Sequence, residues 1–359
     1  MSLNWLYATR FRNLIDTRLD LNPGVNLLYG ENGSGKTSLL EAAYFLSSAR
    51  SFRTTRQDPV IQHGADDCLV RGELTRRGNQ TWQVGISRHR DGEREIRLNG
   101  QMCRKSSELA RLLPTLLLGP ESVDLLLGPP EGRRRFLNWG LFHVKHEFPG
   151  QWEEANRCLR QRNQVLREGG GLQELGTWSV QLAEHAEKLD RARQAYVSAY
   201  RPVFQATVDS LASIPSVDLE YYRGWGGDTS LAEQYEKDSR NDQKRGYTQK
   251  GFQRADVRIT VGGQSAEKVC SRGELKVLVW SMVLAQGALT DNQDTLYLID
   301  DLASELDAEH RLRVGRFLAD TGNQVLLTGV ERGRLEASCD GRHKGMFHVK
   351  QGQVEVQES

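Results

Sequence analysis

The apolar and polar pattern near the start of the chain predicts strands, a loop and a helix in that order. Apolar and polar residues alternate over residues 3–30, and the alternation ends in the apolar run 25–29, which is typical of a buried strand. A glycine-rich loop follows directly. Over residues 36–46 apolar residues recur at helical spacing, which predicts an α-helix.

Short strands and then a long helical stretch follow. Segments 81–87 and 95–98 are typical of strands, and Asn99-Gly100 predicts a hairpin turn. After Pro114 the pattern is largely helical as far as Gly246 and predicts two long helices separated at residues 169–171. Their apolar faces are predicted at Trp152, Leu159, Leu166, Leu182, Leu189 and Tyr196.

Strand patterns return at residues 256–261, 296–299 and 325–327, with a helix beginning at Arg272. This order predicts an α/β protein with two lobes. One lobe would comprise residues 1–113 and 255–359, and an inserted, mostly α-helical lobe would comprise residues 114–254. A length of 359 residues agrees with two lobes, because domains usually have roughly 100–200 residues.

Charge and composition exclude several classes of protein to which the chain could otherwise belong. The 48 Lys and Arg residues nearly balance the 47 Asp and Glu residues, which gives a net charge of +1 and excludes a uniformly basic nucleic-acid coat. Five widely spaced cysteines fit neither a disulfide framework nor a paired metal-binding motif. The chain shows no signal peptide and no apolar run long enough to span a membrane. We therefore expect a cytoplasmic protein.

The glycine-rich loop matches the phosphate-binding pattern GxxxxGK[ST]. In such a loop, backbone N–H groups at a helix N-terminus bind phosphate oxygens, the lysine neutralises the β- and γ-phosphates, and the final hydroxyl ligates Mg²⁺. The strand before the loop and the helix after it are the context that this motif requires. Its residues are Gly30, Glu31, Asn32, Gly33, Ser34, Gly35, Lys36 and Thr37.

Two further segments belong with this loop. The apolar strand at 296–299 ends in Asp300, a candidate Mg²⁺ ligand, and Asp301, a candidate general base for the attacking water. The carboxyl ends of parallel strands lie at one edge of a sheet, so the loop and the acids are expected to converge. The second segment, Ser271-Arg272-Gly273-Glu274, is a capping box at a helix N-terminus and therefore also a candidate anion site.

These motifs together resemble the ATP-binding-cassette ATPases of the chromosome-maintenance type, with an SMC-like head and a short insert. The resemblance extends along the whole chain. It is carried by Phe11-Arg12-Asn13, residues 30–37, Arg50-Ser51-Phe52-Arg53, Pro120-Glu121, residues 128–137, Gln161-Arg162-Asn163, residues 271–274 and residues 298–307.

The resemblance implies ATP and Mg²⁺ as cofactors, with Lys36, Asp300 and Asp301 catalytic and Thr37 and Asp300 on the metal. It also implies that residues 271–274 contact ATP bound to a second copy, so that ATP joins a homodimer. The chain departs from the cassette pattern at Asp301, where Glu is usual, and at Thr328-Gly329, where a histidine often lies. These departures predict slow hydrolysis that acts as a timing switch.

The same resemblance implies a DNA-repair protein that binds single-stranded DNA and junctions between single and double strands, without sequence preference. Its implied partners are RecO and RecR, with RecA and single-strand-binding protein as functional partners in gap repair, replication restart and SOS induction. Two alternatives stay open. They are a cassette ATPase that serves a transporter and a non-catalytic chromosome-bridging protein, which membrane fractionation and a hydrolysis-deficient variant would distinguish.

Several smaller features are candidates for DNA contact. Basic clusters occur at Arg50/Arg53/Arg56, Arg76-Arg77, Arg88-His89-Arg90 and Arg133-Arg134-Arg135. Each cluster alone is more typical of a solvated surface, and most of the tryptophans are expected in the core. The pair His143 and His146 has helical spacing but no further ligand in register, so a metal site there is not expected.

Overall fold

The structure is a computed structural model, and it describes residues 2–54, 58–76, 80–227, 229–290 and 295–357. The strands are Ser2–Phe11 (β1), Leu14–Asp20 (β2), Val25–Tyr29 (β3), Asp67–Arg76 (β4), Gln80–His89 (β5), Arg94–Leu98 (β6), Gln101–Met102 (β7), Thr115–Leu118 (β8), Val217–Tyr222 (β9), Asp256–Val261 (β10), Gln264–Ser265 (β11), Leu296–Ile299 (β12), Gln324–Gly329 (β13), Gly345–Lys350 (β14) and Gln353–Gln357 (β15).

The α-helices are Lys36–Ser48 (α1), Ser106–Leu112 (α2), Asp124–Leu127 (α3), Pro130–Val144 (α4), Phe148–Glu168 (α5), Leu172–Leu211 (α6), Leu231–Arg245 (α7), Ala266–Val269 (α8), Arg272–Leu289 (α9), Leu302–Glu305 (α10), Ala308–Asp320 (α11) and Arg332–Ser338 (α12). Short 3₁₀ turns lie at Asp58–Val60, Pro120–Val123 and Phe252–Arg254. None of the helices within the described residues is long and apolar enough to cross a membrane.

The chain divides into two compact units. Unit 1 comprises Met1–Ser122, Thr207–Ser213 and Lys276–Ser359, and unit 2 comprises Val123–Ala206 and Ile214–Leu275. Unit 1 holds a six-stranded antiparallel sheet in the order β2-β1-β4-β5-β6-β7 and a second six-stranded sheet in the order β15-β14-β3-β13-β12-β8. In the second sheet, β14, β3, β13, β12 and β8 are parallel to one another, and the edge strand β15 is antiparallel to β14.

The core of unit 1 lies between these two sheets and the helix α1. Leu39, Leu40 and Phe45 of α1 pack in one apolar cluster with residues of β1, β4, β12 and β13. Burial of these side chains fixes α1 against the parallel sheet, and it thereby fixes the loop that precedes α1 at the carboxyl end of β3.

Unit 2 is mostly helical, with a three-stranded antiparallel sheet in the order β11-β10-β9. A fully buried ion pair stabilises its interior: Arg162 Nη1 of α5 lies 2.8 Å from Asp242 Oδ2 of α7. Arg162 also donates to Ser179 Oγ of α6 and Thr248 Oγ1, and its guanidinium lies 4.5 Å from the centre of the Tyr235 ring. These contacts join α5, α6, α7 and the segment after α7.

Much of the predicted order is confirmed. Strand β3, helix α1, the break between α5 and α6, and strands β10, β12 and β13 lie where the sequence pattern predicts them. Asn99 and Gly100 both have positive φ, 48° and 80°, as a two-residue hairpin turn between β6 and β7 requires.

Four elements differ from the prediction. Residues 115–118 form β8 of the parallel sheet, whereas the pattern placed them in a helical lobe. Strand β9 was not predicted and pairs with β10, so β10 belongs to unit 2. The hairpin β14–β15 was not predicted either. The compact units divide after Ser122 and after Leu275, and Thr207–Ser213 also belongs to unit 1. The lobe boundaries at 113 and 254 stay a prediction.

One predicted apolar position is wrong. Trp152 is 39% exposed, whereas Ala155, Cys158, Arg162 and Val165 form the buried stripe of α5. Spacing by seven residues follows a coiled-coil seam, but a straight helix drifts away from that seam along its length.

Candidate functional site

The glycine-rich loop lies between the carboxyl end of β3 and the N-terminus of α1. Gly30 has a φ of 155°, and a Cβ placed on it would lie 2.2 Å from the carbonyl oxygen of Val349 in β14. A side chain therefore has no room at this position. Only glycine lets the loop turn directly from β3 into α1 beside β14.

Lys36 is 7% exposed and its ammonium group is held by the loop itself. Its Nζ donates hydrogen bonds to the carbonyl oxygens of Gly30, at 2.7 Å, and Glu31, at 2.8 Å. Burial lowers the pKa of Lys36, and the nearby carboxylates of Asp301 and Asp300 oppose that effect. The loop thus presents a partly desolvated cation with two acids nearby, a combination that favours an anionic ligand with a metal ion.

Thr37, Asp300 and Thr328 form a connected group at the carboxyl edge of the parallel sheet. The Thr37 hydroxyl lies 3.0 Å from Asp300 Oδ1 and 3.1 Å from Oδ2, and Thr328 Oγ1 donates to Asp300 Oδ1 at 2.9 Å. Strand β13, which ends beside Thr328, lies between β3 and β12. The sheet order therefore brings the loop and the acids together.

Asp301 follows Asp300 in an unusual backbone conformation. Its φ is 53° and its ψ is 56°, in the left-handed region that is uncommon for residues other than glycine. Its backbone N–H donates to Thr328 Oγ1 at 2.9 Å. The Thr328 hydroxyl thus accepts from the Asp301 backbone while it donates to the Asp300 carboxylate, so a single side chain contacts both acidic residues.

These residues line one cavity of about 910 Å³, a size typical of small-molecule sites. Asn32, Gly33, Gly35, Lys36, Thr37, Asp300 and Asp301 contribute to its lining. Other lining residues were not predicted as site residues: Arg12, Asn13, Ser38, Arg53, Pro59, Ile61, His63, Arg90 and Pro120. All of the lining residues belong to unit 1.

Two arginines of the cavity are positioned by Glu41, a fully buried residue of α1. Arg12 donates to both carboxylate oxygens of Glu41, at 2.9 and 2.7 Å, and Arg53 Nη1 lies 3.8 Å from the same carboxylate. Ser51 Oγ also donates to Glu41 at 2.5 Å. Helix α1 therefore carries both the phosphate-binding loop and the anchor for two cations of the cavity wall.

The loop is also held by two turns that are distant in sequence. Asn13 Nδ2 donates to the carbonyl oxygen of Gly33 at 3.2 Å, and Asn13 Oδ1 accepts from Ser38 Oγ at 2.7 Å. The N–H of Gly352, in the turn between β14 and β15, donates to the carbonyl oxygen of Ser34 at 2.7 Å. The position of the loop thus depends on the β1–β2 turn and on the C-terminal hairpin.

The residues present fit a nucleotide with Mg²⁺. Ser34 Oγ is buried and has no hydrogen-bond partner among the described residues, and a buried hydroxyl without a partner is costly unless a ligand satisfies it. Lys36 and the N-terminus of α1 suit phosphate. The oxygens of Thr37 and Asp300 are the hard ligands that Mg²⁺ prefers.

The segment Ser271–Glu274 lies in unit 2, at the start of α9. The Ser271 N–H donates to Glu274 Oε2 at 2.7 Å, and the Glu274 N–H donates to Ser271 Oγ at 3.3 Å, so the predicted capping box is formed. Hydrogen bonds from the backbone N–H and from the side chain of Ser271 to the Glu274 carboxylate lower the pKa of Glu274. Arg272 and Gly273 are exposed beside it.

The remaining sequence candidates have mostly structural positions. Trp225 and Trp280 are buried, and Trp139 and Trp178 are half-buried. No group of three or more His, Cys, Asp or Glu side chains suited to a metal ion occurs in the described part of the chain, and His143 and His146 form no such site. All five cysteines are free thiols. Arg56 and Arg77 lie outside the described residues.

The parallel sheet with its phosphate-binding loop after β3 and acids after β12, joined to a mostly helical inserted unit, defines a P-loop ATPase fold of the ABC type with an SMC-like head. The RecF/RecN/SMC N-terminal domain family matches residues 2–355. The DNA replication and repair protein RecF of Stutzerimonas stutzeri (strain A1501) is 42% identical over 359 residues, covering 99% of this chain and 97% of that protein. The chain therefore belongs to the RecF family.

Solved structures show the same fold. The recombination mediator protein RecF-ATP in the RecFOR pathway has a TM-score of 0.87 at 24% identity and covers 99% of this chain and 97% of its own. The Smc head domain with an extended coiled coil, derived from Pyrococcus furiosus, has a TM-score of 0.63 at 14% identity, with coverage of 99% and 95%.

Proposed function

We propose that this protein is a cytoplasmic, ATP-dependent DNA-binding repair protein. The hydrogen-bonded group Thr37, Asp300 and Thr328, of which Thr37 and Asp300 line the cavity beside the phosphate-binding loop, carries the proposal. The name of the relative from Stutzerimonas stutzeri, a DNA replication and repair protein, supports the role in repair. The RecF structure named for ATP and for the RecFOR pathway supports the nucleotide and the partners RecO and RecR.

Each site residue has a separate task in the proposed reaction. When bound, ATP with Mg²⁺ supplies a γ-phosphoryl group whose charge the metal neutralises. The N–H groups of residues 30–37 and the Lys36 ammonium would bind phosphate oxygens, and Thr37 and Asp300 would hold the metal. Asp301 would accept a proton from the attacking water, while Thr328 holds the Asp300 carboxylate and the Asp301 backbone.

ATP would also join two copies of the chain, with Ser271–Glu274 of one copy at the nucleotide of the other. The dimer would bind single-stranded DNA and junctions with duplex, and with RecO and RecR it would promote RecA loading onto DNA covered by single-strand-binding protein. Hydrolysis would be stimulated by DNA and slower than ~10 s⁻¹, the median for enzymes. It would then release the dimer as a timing step.

Light scattering after size-exclusion chromatography tests the proposal, with and without ATP and with gapped or fully duplex DNA at two salt concentrations. We expect an ATP-dependent dimer that prefers gapped DNA. Lys36→Ala should abolish ATP binding, and Asp300→Asn should block Mg²⁺-dependent hydrolysis. Ser271→Arg should bind ATP yet stay monomeric, and an ATP-dependent dimer of this variant would exclude the shared site.

A further inference from the structure

The arginine clusters that stand out in the sequence are largely engaged within the protein. Arg133 is buried and pairs with Asp256 through two hydrogen bonds, at 2.7 and 3.2 Å. Arg134 donates to the carbonyl oxygen of Ala255, and Arg135 pairs with Glu131. Arg90 donates to the carbonyl oxygen of Ala65. Arg133 is thus enclosed within the fold, and Arg134, Arg135 and Arg90 each already make a contact within the protein.

A different group of cations is exposed in unit 2. Four of its members lie on α7, and they are Lys237, Arg240, Lys244 and Arg245. Arg167 lies in the last turn of α5, and Arg254 lies in the segment after α7. We call these six residues the α7 basic surface. All six are exposed, and none of them makes an ion pair with another described residue. The end of α7 lies close to the end of α5, because a Cβ placed on Gly246 would lie 3.5 Å from Arg167 Cγ.

The inner face of α7 is fixed, and two of the four acids of α7 are engaged in ion pairs. Asp242 pairs with the buried Arg162, and Asp238 pairs with Lys250 at 2.8 Å. The two exposed acids, Glu233 and Glu236, lie in the first half of the helix. They stand four residues before Lys237 and Arg240, but no ion pair joins them to these cations among the described residues. The second half of α7 exposes Arg240, Lys244 and Arg245 and no acid, so it presents positive charge to solvent.

We propose that the α7 basic surface binds the phosphate backbone of DNA, an inference that rests on the proposed function. Lys237, Arg240 and Lys244 have i, i+3, i+7 spacing and form one stripe. The stripe covers ~10 Å of helix. A DNA strand passes a phosphate every ~3.4 Å along its axis, so the stripe meets about three phosphates.

Helix electrostatics alone do not account for this surface. Basic residues in a last turn interact favourably with the helix dipole, which explains Lys244 and Arg245. The same effect covers Arg167 in the last turn of α5. It falls off within one turn, so it does not explain Lys237 or Arg240. The exposed face of α7 also carries no large apolar side chain, whereas a protein partner usually requires an apolar centre.

An aromatic side chain adds a preference for unpaired bases. Tyr247 is 39% exposed, and the Arg254 guanidinium lies 5.9 Å from its ring centre. Stacking of a base on an exposed ring is available only to single-stranded DNA, and it does not depend on sequence. Tyr247 would therefore favour the single-stranded side of a junction.

Fluorescence anisotropy on single-stranded, gapped and duplex DNA over a salt series tests the inference. The variant Lys237→Gln/Arg240→Gln/Lys244→Gln/Arg245→Gln should bind DNA at least about tenfold more weakly, and the slope of log Kd against log salt should fall by about 0.9 for each lost duplex phosphate contact. Tyr247→Leu should weaken binding to single strands several-fold and leave duplex binding unchanged. ATP binding should stay normal in both.

The matched control is Arg157→Gln/Lys188→Gln, which removes exposed cations of unit 2 that are paired with Glu154 and Glu184. This control should bind DNA within about twofold of the parent chain, because a paired cation adds little external field. Equal DNA affinity of the parent chain and the variant with four substitutions would overturn the inference. It would also be overturned if that variant kept its DNA affinity and lost only its binding to polyglutamate, an acidic polymer without phosphate. Absence of DNA binding by the parent chain would instead overturn the proposed function.

Discussion

At the scale of single residues, Thr328 has the largest effect on the geometry of the site. Its hydroxyl is buried and connects Asp300 with the backbone of Asp301, which adopts a left-handed conformation. The sequence shows only that Thr328 stands near the position where related ATPases often have a histidine. Strand order gives the residue its importance, because β13 lies between β3 and β12.

Thr328→Val should reduce ATP hydrolysis about tenfold and change ATP affinity little. The substitution keeps the shape of the side chain but leaves the Asp301 N–H without an acceptor, which costs ~1–3 kcal/mol and lets Asp301 move. Steady-state hydrolysis and equilibrium ATP binding measure the two effects. Thr328→Ser, which restores the hydroxyl, should recover most of the rate; a normal rate in the valine variant would show that the hydroxyl is dispensable.

Arg162 is the second residue for which we expect a large effect, in this case on the stability of the fold. Its pair with Asp242 is almost fully buried. Arg162→Met should lower the free energy of unfolding by ~3–5 kcal/mol, because it leaves Asp242 charged and unpaired in the interior. Urea denaturation measures this change.

The double variant Arg162→Met/Asp242→Leu is the control for charge. It should be more stable than Arg162→Met alone, since an apolar pair avoids the isolated buried charge. If the double variant were less stable than the single one, the contribution of Arg162 would lie in its packing and its hydrogen bonds to Ser179 and Thr248.

At the scale of elements, the C-terminal hairpin β14–β15 supports the phosphate-binding loop. Strand β14 pairs with β3, and the hairpin turn donates a hydrogen bond to Ser34. Gly352 in that turn has a φ of 78°, and a Cβ there would lie 2.3 Å from the carbonyl oxygen of Asn13. The three backbone segments are thus in direct contact.

Gly352→Ala should weaken ATP binding, because the added Cβ pushes the turn away from both Asn13 and Ser34. Isothermal titration measures the affinity, which we expect to fall by about tenfold, roughly the effect of losing 1.4 kcal/mol of binding free energy.

Gly341→Ala provides the control for Gly352→Ala. Gly341 has a φ of 69°, but an added Cβ would meet nothing within 4 Å. It therefore carries a similar backbone penalty without the collision and should leave ATP affinity unchanged. Equal affinity losses in both variants would mean that the effect comes from general destabilisation.

At the scale of the whole molecule, segments from both ends of the chain build one unit. Thr37 and Asp300 are 263 residues apart in sequence yet hydrogen-bonded in unit 1. A ligand that binds both should therefore stabilise unit 1 as a whole.

Saturating ATP with Mg²⁺ should raise the thermal stability of the protein. At a ligand concentration of 100 times Kd, the linkage amounts to ~2.7 kcal/mol. Differential scanning fluorimetry with and without ATP measures the shift, and Lys36→Ala should abolish it. Asp301→Asn should keep the shift, because Asp301 is proposed to act in hydrolysis and not in binding.

Features that depend on residues close together in sequence could be predicted, and features that depend on distant segments could not. The loop at residues 30–37, the strand before Asp300 and the helix after Ser271 were predicted because their signals are local spacing and periodicity. The hairpin β14–β15 was missed, and the pairing that places it in the sheet is the long-range one between β14 and β3, which a local pattern does not show. Arg133 and Arg134 stood out in the sequence as candidates for DNA contact. Their burial and their partners within the protein cannot be seen in a run of charged residues.

The sequence by itself determined the class of this protein: a P-loop ATPase lobe with a helical insert, a phosphate-binding loop and an acid pair. Those features are set by neighbouring residues and by the geometry of single helices and strands. Only the tertiary structure decided that Thr328 orients the acids, that Gly352 and Asn13 hold the loop, and that α7 carries the exposed cations. Each of these depends on which distant segments the sheet order and the buried ion pairs bring into contact.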